Sequence, residues 1–347
     1  MNPMLNSGMV DKFRRWIEES EEIVLTCHVR PDGDAIGSTL GMMHLLQTLG
    51  KKATVVVPDQ PPRSLAFLPG FKDICIFTRH DEYSRRLMSE ADLIICSDFN
   101  KLSRQDSLGA VTEAASAKKV MVDHHQQPDN FCDLSFSYPD MSSASELMFR
   151  LIAAMGYYTE MNLDSATCIC TGIITDTRNF SVNCKNPDIY EVLMRLLDKG
   201  VDKTKIVREA LLTRSLWSLR LQSYALAEKM EIFEKWHCAV TALDKSELER
   251  FHYERGDTEG LVNEALDVRG IYFSFFLRED DDCVKVSARS IEDFPVSKIC
   301  EDVFGGGGHL MAAGAEFKGS LEDCRKKLIE AIPEYLCYLP SRPRKVE

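Results

Sequence analysis

The chain has 347 residues, of which 44% are hydrophobic and 28% are charged, and its formal net charge is −12 at pH 7. This length allows two domains that each bury a core, and the composition is ordinary for a globular protein. Proteins that coat long nucleic acids usually carry a basic face that neutralises phosphates. The acidic balance therefore argues against that class and favours a short or small phosphorylated substrate.

The sequence shows neither a membrane span nor a secretory signal. It has no apolar run long enough to cross a bilayer, and its early acidic residues, among them Glu18 and Glu22, do not fit a signal peptide. We therefore expect a cytoplasmic protein without membrane contact. The twelve cysteines include no Cys-x-x-Cys pair, so we expect reduced thiols rather than a structural zinc site.

In the first half of the chain, short apolar runs alternate with helical patterns. Apolar spacing predicts a helix over residues 9–20, and a buried helix is predicted from Asp34 to Leu49, with Gly50 as its stop. The predicted strands are Ile23–Cys27, Ala53–Val57, Leu93–Ser97 and Val120–Val122. Because strand and helix alternate up to about residue 176, we expect a mostly parallel sheet flanked by helices.

The second half changes character twice. Leucines and isoleucines at helical spacing predict helices over residues 185–230, and strand-like runs follow from residue 236. These runs are Ala239–Leu243, Gly270–Leu277 and Val284–Ala288, with a hairpin loop at Asp280–Asp282, and the tail from Pro340 is expected to fray. We therefore expect an α/β protein with a first domain at 1–190, a helical linker at 191–230 and a smaller C-terminal α/β domain at 231–347.

Four apolar segments of the first half end in carboxylate or imidazole groups. The side chains at these ends are His28, Asp32, Asp34, Asp98, Asp123, His124, His125 and Asp176. Open α/β sheets bind their ligands at the carboxyl ends of the strands, so we expect these groups to lie at one mouth of the sheet. The alternatives are a plain tight turn at Pro31–Gly33 and a surface position for the paired histidines.

Seven of these groups form a donor set for divalent metal ions. Carboxylates and imidazoles without thiolates suit Mn²⁺, Mg²⁺ or Fe²⁺. Seven donors exceed the needs of one ion, whereas two ions roughly 3.5–4 Å apart that share a carboxylate would use them all. Gly33 is expected to let the backbone turn sharply between Asp32 and Asp34, so that the two carboxylates face different ions.

A glycine run and a basic strand characterise the second domain. Gly305–Gly308 lacks the Gly-Lys-Ser/Thr ending of a P-loop; it fits either a flexible turn or a backbone approach to an anion that His309 could also contact. Lys285, Ser287 and Arg289 alternate along a predicted strand, so they share one face, which is either a phosphate-binding surface or an ordinary exposed edge.

These motifs, taken in order, resemble a known family. His-x-x-Pro-Asp-Gly-Asp at 28–34, the strand-end Asp98, Asp-His-His at 123–125 and Thr-Gly-Ile-Ile-Thr-Asp-Thr at 171–177 resemble the DHH phosphoesterases. Val-Ser-Ala-Arg-Ser at 286–290 and Gly-Gly-Gly-Gly-His at 305–309 resemble the DHHA1 domain. Within the family, the chain is most similar to the bifunctional oligoribonuclease and 3′-phosphoadenosine-5′-phosphate phosphatase group.

The resemblance implies two bound Mn²⁺ ions, with Mg²⁺ or Fe²⁺ as alternatives. It assigns His28, Asp32 and Asp98 to one ion, and Asp34, Asp98, His124 and Asp176 to the other. Asp123 is then expected to support His124 from behind. Asp98 and His125 are the expected catalytic residues, and His125 is expected to contact either an ion or the scissile phosphate.

The candidate substrate-binding residues are Arg104, Ser287, Arg289, Gly306, Gly307, Gly308 and His309. The resemblance implies that Arg289 and His309 hold a terminal phosphate or a base, whereas Arg104 is a candidate because it follows Asp98 by six residues and could reach the substrate phosphate. Arg104 could instead be a solvated loop arginine. The serines at 142, 143 and 145 could either cap the helix that follows them or lie beside the site.

The implied activity is that of a phosphodiesterase and phosphatase acting on short oligoribonucleotides, including linear dinucleotides, and on 3′-phosphoadenosine-5′-phosphate. Two alternatives are an inorganic pyrophosphatase-like hydrolase and a catalytically silent nucleotide-binding sensor. Members of the family often have glycine where this chain has Arg178, which leaves the substrate range open. The sequence does not specify the oligomeric state and is compatible with a homodimer.

Overall fold

The structure is a computed structural model that describes residues 5–184, 186–341 and 343–346. The chain folds into two compact units, of which the first ends at Thr213 and the second begins at Arg214. No helix in the described part of the chain is long and apolar enough to span a membrane.

The helices and strands follow the predicted alternation. The helices of the first unit are α1 (Ser7–Glu19), α2 (Gly33–Thr48), α3 (Asp81–Glu90), α4 (Ser107–Ala114), α5 (Ala144–Ala154), α6 (Leu163–Asp176), α7 (Asp188–Asp198) and α8 (Lys203–Val207). Its strands are β1 (Glu22–Thr26), β2 (Lys52–Val57), β3 (Cys75–Ile76), β4 (Leu93–Ser97), β5 (Lys118–Asp123) and β6 (Leu134–Ser137).

The second unit has shorter helices and a separate set of strands. Its helices are α9 (Leu216–Tyr224), α10 (Lys245–Arg250), α11 (Leu261–Glu264), α12 (Val296–Phe304) and α13 (Leu321–Ala331). Its strands are β7 (Met230–Phe233), β8 (Cys238–Leu243), β9 (Phe273–Glu279), β10 (Val284–Ser290), β11 (Gly307–His309) and β12 (Ala312–Phe317). The helices predicted over residues 185–230 are confirmed, since α7, α8 and α9 lie in that stretch of the sequence.

The first sheet is parallel throughout, with strand order β3-β2-β1-β4-β5-β6. The predicted parallel α/β domain is therefore confirmed. In this order the chain moves outward in one direction from β1 and in the other direction from β4. Ligands of open α/β sheets bind at such a reversal, outside the carboxyl ends of the strands, so the ends of β1 and β4 define the expected site.

Both faces of this sheet are buried, which explains why its strands are almost wholly apolar. Ile23 and Leu25 of β1 pack into the larger core with residues of α2, α5 and α6. Val24, between them, points to the opposite face and packs with Met88 of α3 and Leu108 of α4. Helices on both faces thus hold the strands and fix where their carboxyl ends lie.

The second sheet has the order β11-β12-β10-β9-β8-β7, and its neighbouring strands are antiparallel except for β8 and β9. Phe273 of β9 packs with α12 and α13 on one face, whereas Phe276 packs with α9, α10 and α11 on the other. The hairpin between β9 and β10 contains the aspartates 280–282, as predicted. The expected C-terminal α/β domain is confirmed.

The tail was expected to fray, and this is wrong for the residues that the structure describes there. The backbone N–H of Arg344 donates to the hydroxyl of Tyr272 at 3.1 Å, and Val346 packs beside Ile271. Gly270, at φ +89°, makes this approach feasible because a Cβ there would lie 2.5 Å from the carbonyl oxygen of Lys345. The tail is therefore held by backbone contacts that its polar composition does not reveal.

Close packing of α2 against α6 depends on glycine. A Cβ at Gly37 of α2 would lie 2.6 Å from the carbonyl oxygen of Cys168 and 2.7 Å from the backbone nitrogen of Gly172, both in α6. Because both neighbours are backbone atoms, a rotamer change cannot relieve the clash. The two helices that carry Asp34 and Asp176 therefore pack at a distance that only glycine allows.

We expect Gly37→Ala to lower the free energy of unfolding of the first unit by about 1–3 kcal/mol, since an extra methyl group must separate two packed helices. Urea unfolding monitored by circular dichroism measures the change. Gly8→Ala in α1 is the matched control, because a Cβ there meets nothing closer than 3.4 Å. Equal stability of the Gly37→Ala and Gly8→Ala variants would contradict the packing account.

Candidate metal centre

Polar side chains from three adjacent strand ends meet at the carboxyl edge of the first sheet. His28 follows β1, Asp98 follows β4, and His124 follows β5. His28 Nε2 lies 3.3 Å from Asp98 Oδ2, and His124 Nε2 lies 3.5 Å from Asp98 Oδ1. Asp98, which is 2% exposed, therefore lies at the centre of the cluster.

Two helices supply the remaining carboxylates. Asp32 caps α2, Asp34 lies in its first turn, and Asp176 ends α6. His124 Nε2 lies 3.8 Å from both Asp34 Oδ2 and Asp176 Oδ2, and His28 Nε2 lies 3.9 Å from Asp32 Oδ1. The donors form three overlapping groups whose ligand atoms lie within 4.8 Å of one another: His28, Asp32 and Asp98; Asp34, His124 and Asp176; and Asp98, His124 and His125. All seven predicted donors thus lie together.

The arrangement fits divalent cations. Asp98 Oδ1 and Asp176 Oδ2 are buried and have no hydrogen-bond partner among the described residues, which is costly for a carboxylate oxygen. The separations of 3.3–3.9 Å between imidazole nitrogens and carboxylate oxygens are too long for strong hydrogen bonds. When one ion binds two neighbouring ligand atoms at about 2.1 Å each, those two atoms lie roughly 3 Å apart. The nitrogen–oxygen separations in the cluster are close to that value. Carboxylate and imidazole donors suit Mn²⁺, Mg²⁺ or Fe²⁺.

The pKa shifts in the cluster also indicate that its carboxylates lack enough positive charge nearby. Burial opposes charge on both imidazoles, but contact with Asp98 outweighs it, raising the pKa of His28 to about 9 and the pKa of His124 well above its ordinary value. Burial would raise the pKa of Asp98, yet His124 and His28 hold it well below its usual range. Burial, together with repulsion by Asp98, raises the pKa of Asp34 well above its usual range, and burial raises the pKa of Asp176 to about 7. Divalent cations would supply the missing positive charge.

Two backbone features place these donors. Asp98 adopts a left-handed conformation, φ +64°, directly after β4, and such strain is concentrated at functional sites. The predicted reason for Gly33 is wrong, because its φ does not lie in the left-handed region. A Cβ at Gly33 would instead lie 2.6 Å from Cγ2 of Thr175, so glycine provides the space that brings α2 close to the end of α6.

The Ser-rich turn before α5 both caps that helix and lies beside the metal cluster, the two roles that the sequence left open. The Ser143 hydroxyl accepts the N–H of Glu146 at 3.0 Å and so caps the helix. The next two backbone N–H groups, of Ala144 and Ser145, donate to Asp34 Oδ2 at 2.6 Å and to Asp34 Oδ1 at 2.8 Å. The N-terminus of α5 therefore holds one carboxylate of the cluster in place.

His125 contacts protein groups through both ring nitrogens. Its Nδ1 lies 2.8 Å from Asp123 Oδ1, and its Nε2 lies 2.9 Å from Nη1 of Arg104. Because a guanidinium group can only donate, Nε2 accepts and the ring proton resides on Nδ1. Arg104 is therefore in contact with the cluster through His125 and is not a solvated loop arginine.

The expectation that Asp123 supports His124 is wrong. Asp123 accepts both the ring Nδ1–H and the backbone N–H of His125, the latter at 2.9 Å. The Nδ1 atom of His124 lies 3.3 Å from the carbonyl oxygen of Met141. The physical reason is that side chains two residues apart at a strand end point the same way, whereas neighbours alternate.

The structure places Ser287, Arg289 and His309, three of the predicted substrate-binding residues, on one face of the second sheet. Val284, Val286 and Ala288 are buried, so Ser287 and Arg289 face the opposite side, as predicted. Ala312 of the middle strand β12 pairs with Arg289 of β10 on one edge and with His309 of β11 on the other edge. Directly opposed residues share a face, which puts Arg289 and His309 roughly 10 Å apart, two strand spacings.

The glycine run has structural reasons of its own. Gly305, at φ +67°, ends α12, and Gly307 and Gly308 belong to β11. A Cβ at Gly306 would lie 2.5 Å from Cβ of Ala315, and one at Gly308 would lie 2.5 Å from the carbonyl oxygen of Ala312. A Cβ at Gly307 would meet nothing within 4 Å and its φ is not positive, so neither packing nor backbone conformation explains glycine there.

Comparison with known proteins decides the family. The model of the DHH family N-terminal domain matches residues 22–173, and the model of the DHHA1 domain matches residues 238–336. The bifunctional oligoribonuclease and PAP phosphatase NrnA of Thermus thermophilus is 32% identical over 317 residues, which are 90% of this chain and 90% of that protein. The chain belongs to the DHH family. It is therefore a hydrolase that acts on phosphate ester bonds.

Solved structures of other proteins show the same fold. An exopolyphosphatase-related protein from Bacteroides fragilis is 41% identical, with a TM-score of 0.94 that covers 97% of this chain and 99% of that chain. RecJ of Thermus thermophilus, solved in complex with Mn²⁺, is 15% identical, with a TM-score of 0.59 that covers 99% of this chain and 56% of that chain. The likeness to RecJ concerns the fold alone.

Sequence reasoning missed the buried residues behind the donors. Glu146 and Arg150 lie behind Asp34, and Gln105 lies behind His28. The pattern Ser143-x-x-Glu146 is that of a capping box and could have drawn attention to Glu146. Gln105 left no comparable signal, since a single glutamine after a loop arginine has no characteristic pattern.

We expect Mn²⁺ to stabilise the protein against heat. A ligand at about 100 times its Kd adds about 2.7 kcal/mol per site, which for a unit of this size raises Tm by roughly 5–10 °C. Differential scanning calorimetry with Mn²⁺ and with EDTA measures the shift. Asp98→Asn keeps the side-chain shape but removes the charge, and should abolish the shift. Asp129→Asn, which changes an exposed carboxylate, should retain it. A full shift in Asp98→Asn would contradict the metal assignment.

Proposed function

We propose that the chain is a two-metal-dependent phosphoesterase that hydrolyses short oligoribonucleotides, including linear dinucleotides, and 3′-phosphoadenosine-5′-phosphate. The observation that carries this proposal is the cluster of seven donors arranged around the buried carboxylate of Asp98. The name of the Thermus thermophilus relative, a bifunctional oligoribonuclease and PAP phosphatase, supports the choice of substrates. The acidic net charge of −12 favours short substrates over long polymers.

The proposal assigns the donors to two divalent cations. His28, Asp32 and Asp98 would hold one, and Asp34, Asp98, His124 and Asp176 would hold the other. Cations bound there would stabilise the charge that develops on the phosphoryl oxygens and lower the pKa of a nucleophilic water. Mn²⁺ is the proposed ion, and the donor chemistry is equally compatible with Mg²⁺ or Fe²⁺.

Arg104 and His125 would act on the substrate phosphate directly. The guanidinium of Arg104 now donates to His125 Nε2, and a phosphate oxygen is a stronger acceptor for it. When Arg104 turns to the phosphate, His125 Nε2 is released, while Asp123 keeps the other ring proton on Nδ1. Nε2, once protonated from solvent, would then supply the proton that the leaving oxygen needs.

The second unit would also contact substrate. Arg289 and His309 present a guanidinium and an imidazole from the same face of the sheet, which suits a terminal phosphate or a base. Ser287 lies on that face as well, opposite Gly314. The backbone at Gly307 is open to close approach, since a Cβ there would meet no other atom. We therefore propose Arg289, His309, Ser287 and the backbone at Gly307 as the substrate-binding groups of this unit.

Arg178 is the residue through which substrate range would differ from that of relatives. It is exposed and left-handed, with φ +47°, two residues after Asp176. Glycine adopts this conformation without strain, which explains why glycine suits the position in relatives. We propose that the arginine side chain adds a phosphate contact at the edge of the metal cluster.

We expect Asp98→Asn to lower kcat/KM for both a diadenylate and 3′-phosphoadenosine-5′-phosphate by about 10³-fold or more. Metal catalysis contributes several kcal/mol, and each 1.4 kcal/mol corresponds to tenfold in rate. In the assay, purified protein with Mn²⁺ is incubated separately with short RNAs of graded length, the diadenylate, 3′-phosphoadenosine-5′-phosphate and pyrophosphate. Asp129→Asn is the control and should keep wild-type rates. Preference of the wild-type protein for pyrophosphate, or full activity of Asp98→Asn, would overturn the proposal.

We expect Arg104→Gln to raise KM for the diadenylate by roughly 10–100-fold, because a hydrogen bond to a charged group contributes about 1.5–3 kcal/mol. Steady-state kinetics at saturating Mn²⁺ measures the change. Arg79→Gln removes an exposed arginine of the same unit and should leave KM unchanged. Unchanged KM in Arg104→Gln would show that Arg104 does not contact the substrate.

A further inference from the structure

A buried ion pair lies inside α5. Glu146 is 2% exposed and Arg150 is 5% exposed. Both Nε and Nη2 of Arg150 donate to Glu146 Oε1, at 2.9 and 2.6 Å. Burying two charges costs free energy that apolar residues of the same size would not cost, so the pair calls for a reason other than stability.

The second carboxylate oxygen of Glu146 shows what that reason is. Glu146 Oε2 accepts the backbone N–H of Ser142 at 2.9 Å and the hydroxyl of Ser142 at 2.6 Å. In a capping box this carboxylate would accept the N–H of the capping residue, Ser143, but here it reaches one residue further back. Glu146 therefore fixes the turn that leads into α5, and Arg150 fixes Glu146.

The turn fixed in this way delivers two N–H groups to the metal cluster. Ala144 and Ser145 donate one N–H each to the two oxygens of Asp34. Asp34 is 1% exposed, and its carboxylate oxygen lies 3.8 Å from His124 Nε2. A continuous series of hydrogen bonds thus runs from Arg150 through Glu146 and the turn to a single carboxylate of the cluster.

The other side of the cluster has a separate support. Gln105 donates to the hydroxyl of Thr26 at 2.7 Å and to the carbonyl oxygen of Cys27 at 3.0 Å, directly before His28. Thr112 in turn donates to Gln105 Oε1 at 2.7 Å. These polar groups are fully buried and share no residue with the Glu146 network. Each end of the cluster is therefore held independently.

We propose that Glu146 is a positioning residue that acts through the Ser142–Ser145 turn on Asp34 and so tunes one of the two metal sites. It selectively supports the ion assigned to Asp34, Asp98, His124 and Asp176. The ion assigned to His28, Asp32 and Asp98 depends instead on Gln105. This inference rests on the proposed binding of two metal ions.

The test uses two double variants that remove both buried charges and differ in one acceptor. Glu146→Leu with Arg150→Met leaves Ser142 without its acceptor, whereas Glu146→Gln with Arg150→Met retains a carbonyl oxygen that can accept from Ser142. Electron paramagnetic resonance of free Mn²⁺ during titration gives the number and the affinity of the sites, independently of catalysis. Circular dichroism and thermal unfolding confirm that each variant is folded.

We expect the leucine variant to bind one Mn²⁺ with unchanged affinity and the other about 10–100-fold more weakly, as found for residues that orient metal ligands. The glutamine variant should bind both ions within a few fold of the wild-type affinities. Gln105→Leu, a matched buried substitution on the other side, should weaken one ion to a similar extent. Combining it with the leucine variant should then weaken both ions, because the two supports act on different sites.

Each other outcome has a defined meaning. Unchanged binding of both ions by the leucine variant would overturn the positioning role, and so would equal weakening of both ions, which indicates general structural damage. Loss of affinity in the glutamine variant would refute the role of the Ser142 acceptor. Binding of fewer than two ions by the wild-type protein would instead refute the proposed function. If the leucine variant does not fold, Ser142→Ala takes its place, with an expected selective loss of about 3–10-fold.

Discussion

The contact of the Asp98 carboxylate with two imidazoles is the interaction on which the rest of the site depends. Asp98 is buried where β4 ends, and each of its oxygens lies within 3.5 Å of a histidine, His28 on one side and His124 on the other. A carboxylate in this position requires positive charge nearby, and the surrounding Asp34 and Asp176 increase that requirement. The geometry of the cluster therefore fits bound cations.

The strands and helices of the first unit bring the carboxylates and imidazoles of the cluster together. Parallel strands β1, β4 and β5 place their carboxyl ends side by side, and helices pack against both faces of the sheet. Helices α2 and α6 approach closely because Gly33 and Gly37 lack side chains. The site thus depends on small residues as much as on its polar ones, since a methyl group at either glycine would separate the carboxylates that the helices carry.

Sequence reasoning predicted the parallel sheet and the convergence of the donors, because apolar runs that end in polar groups have a direct structural meaning. It could not predict contacts that depend on tertiary packing. It assigned Asp123 to His124, although Asp123 contacts His125, and it missed the support of Asp34 by Glu146. It also gave Gly33 a conformational reason, where the structure shows a steric one. The local patterns identify the participants, and only the fold specifies their partners.

We propose that the seven donors bind a pair of divalent ions that share the carboxylate of Asp98. Crystals grown with Mn²⁺ and measured at its absorption edge would locate such ions by anomalous scattering. We predict two anomalous peaks that both contact Asp98, one of which also contacts His28 and the other His124. A single peak, or peaks that do not contact Asp98, would contradict the account.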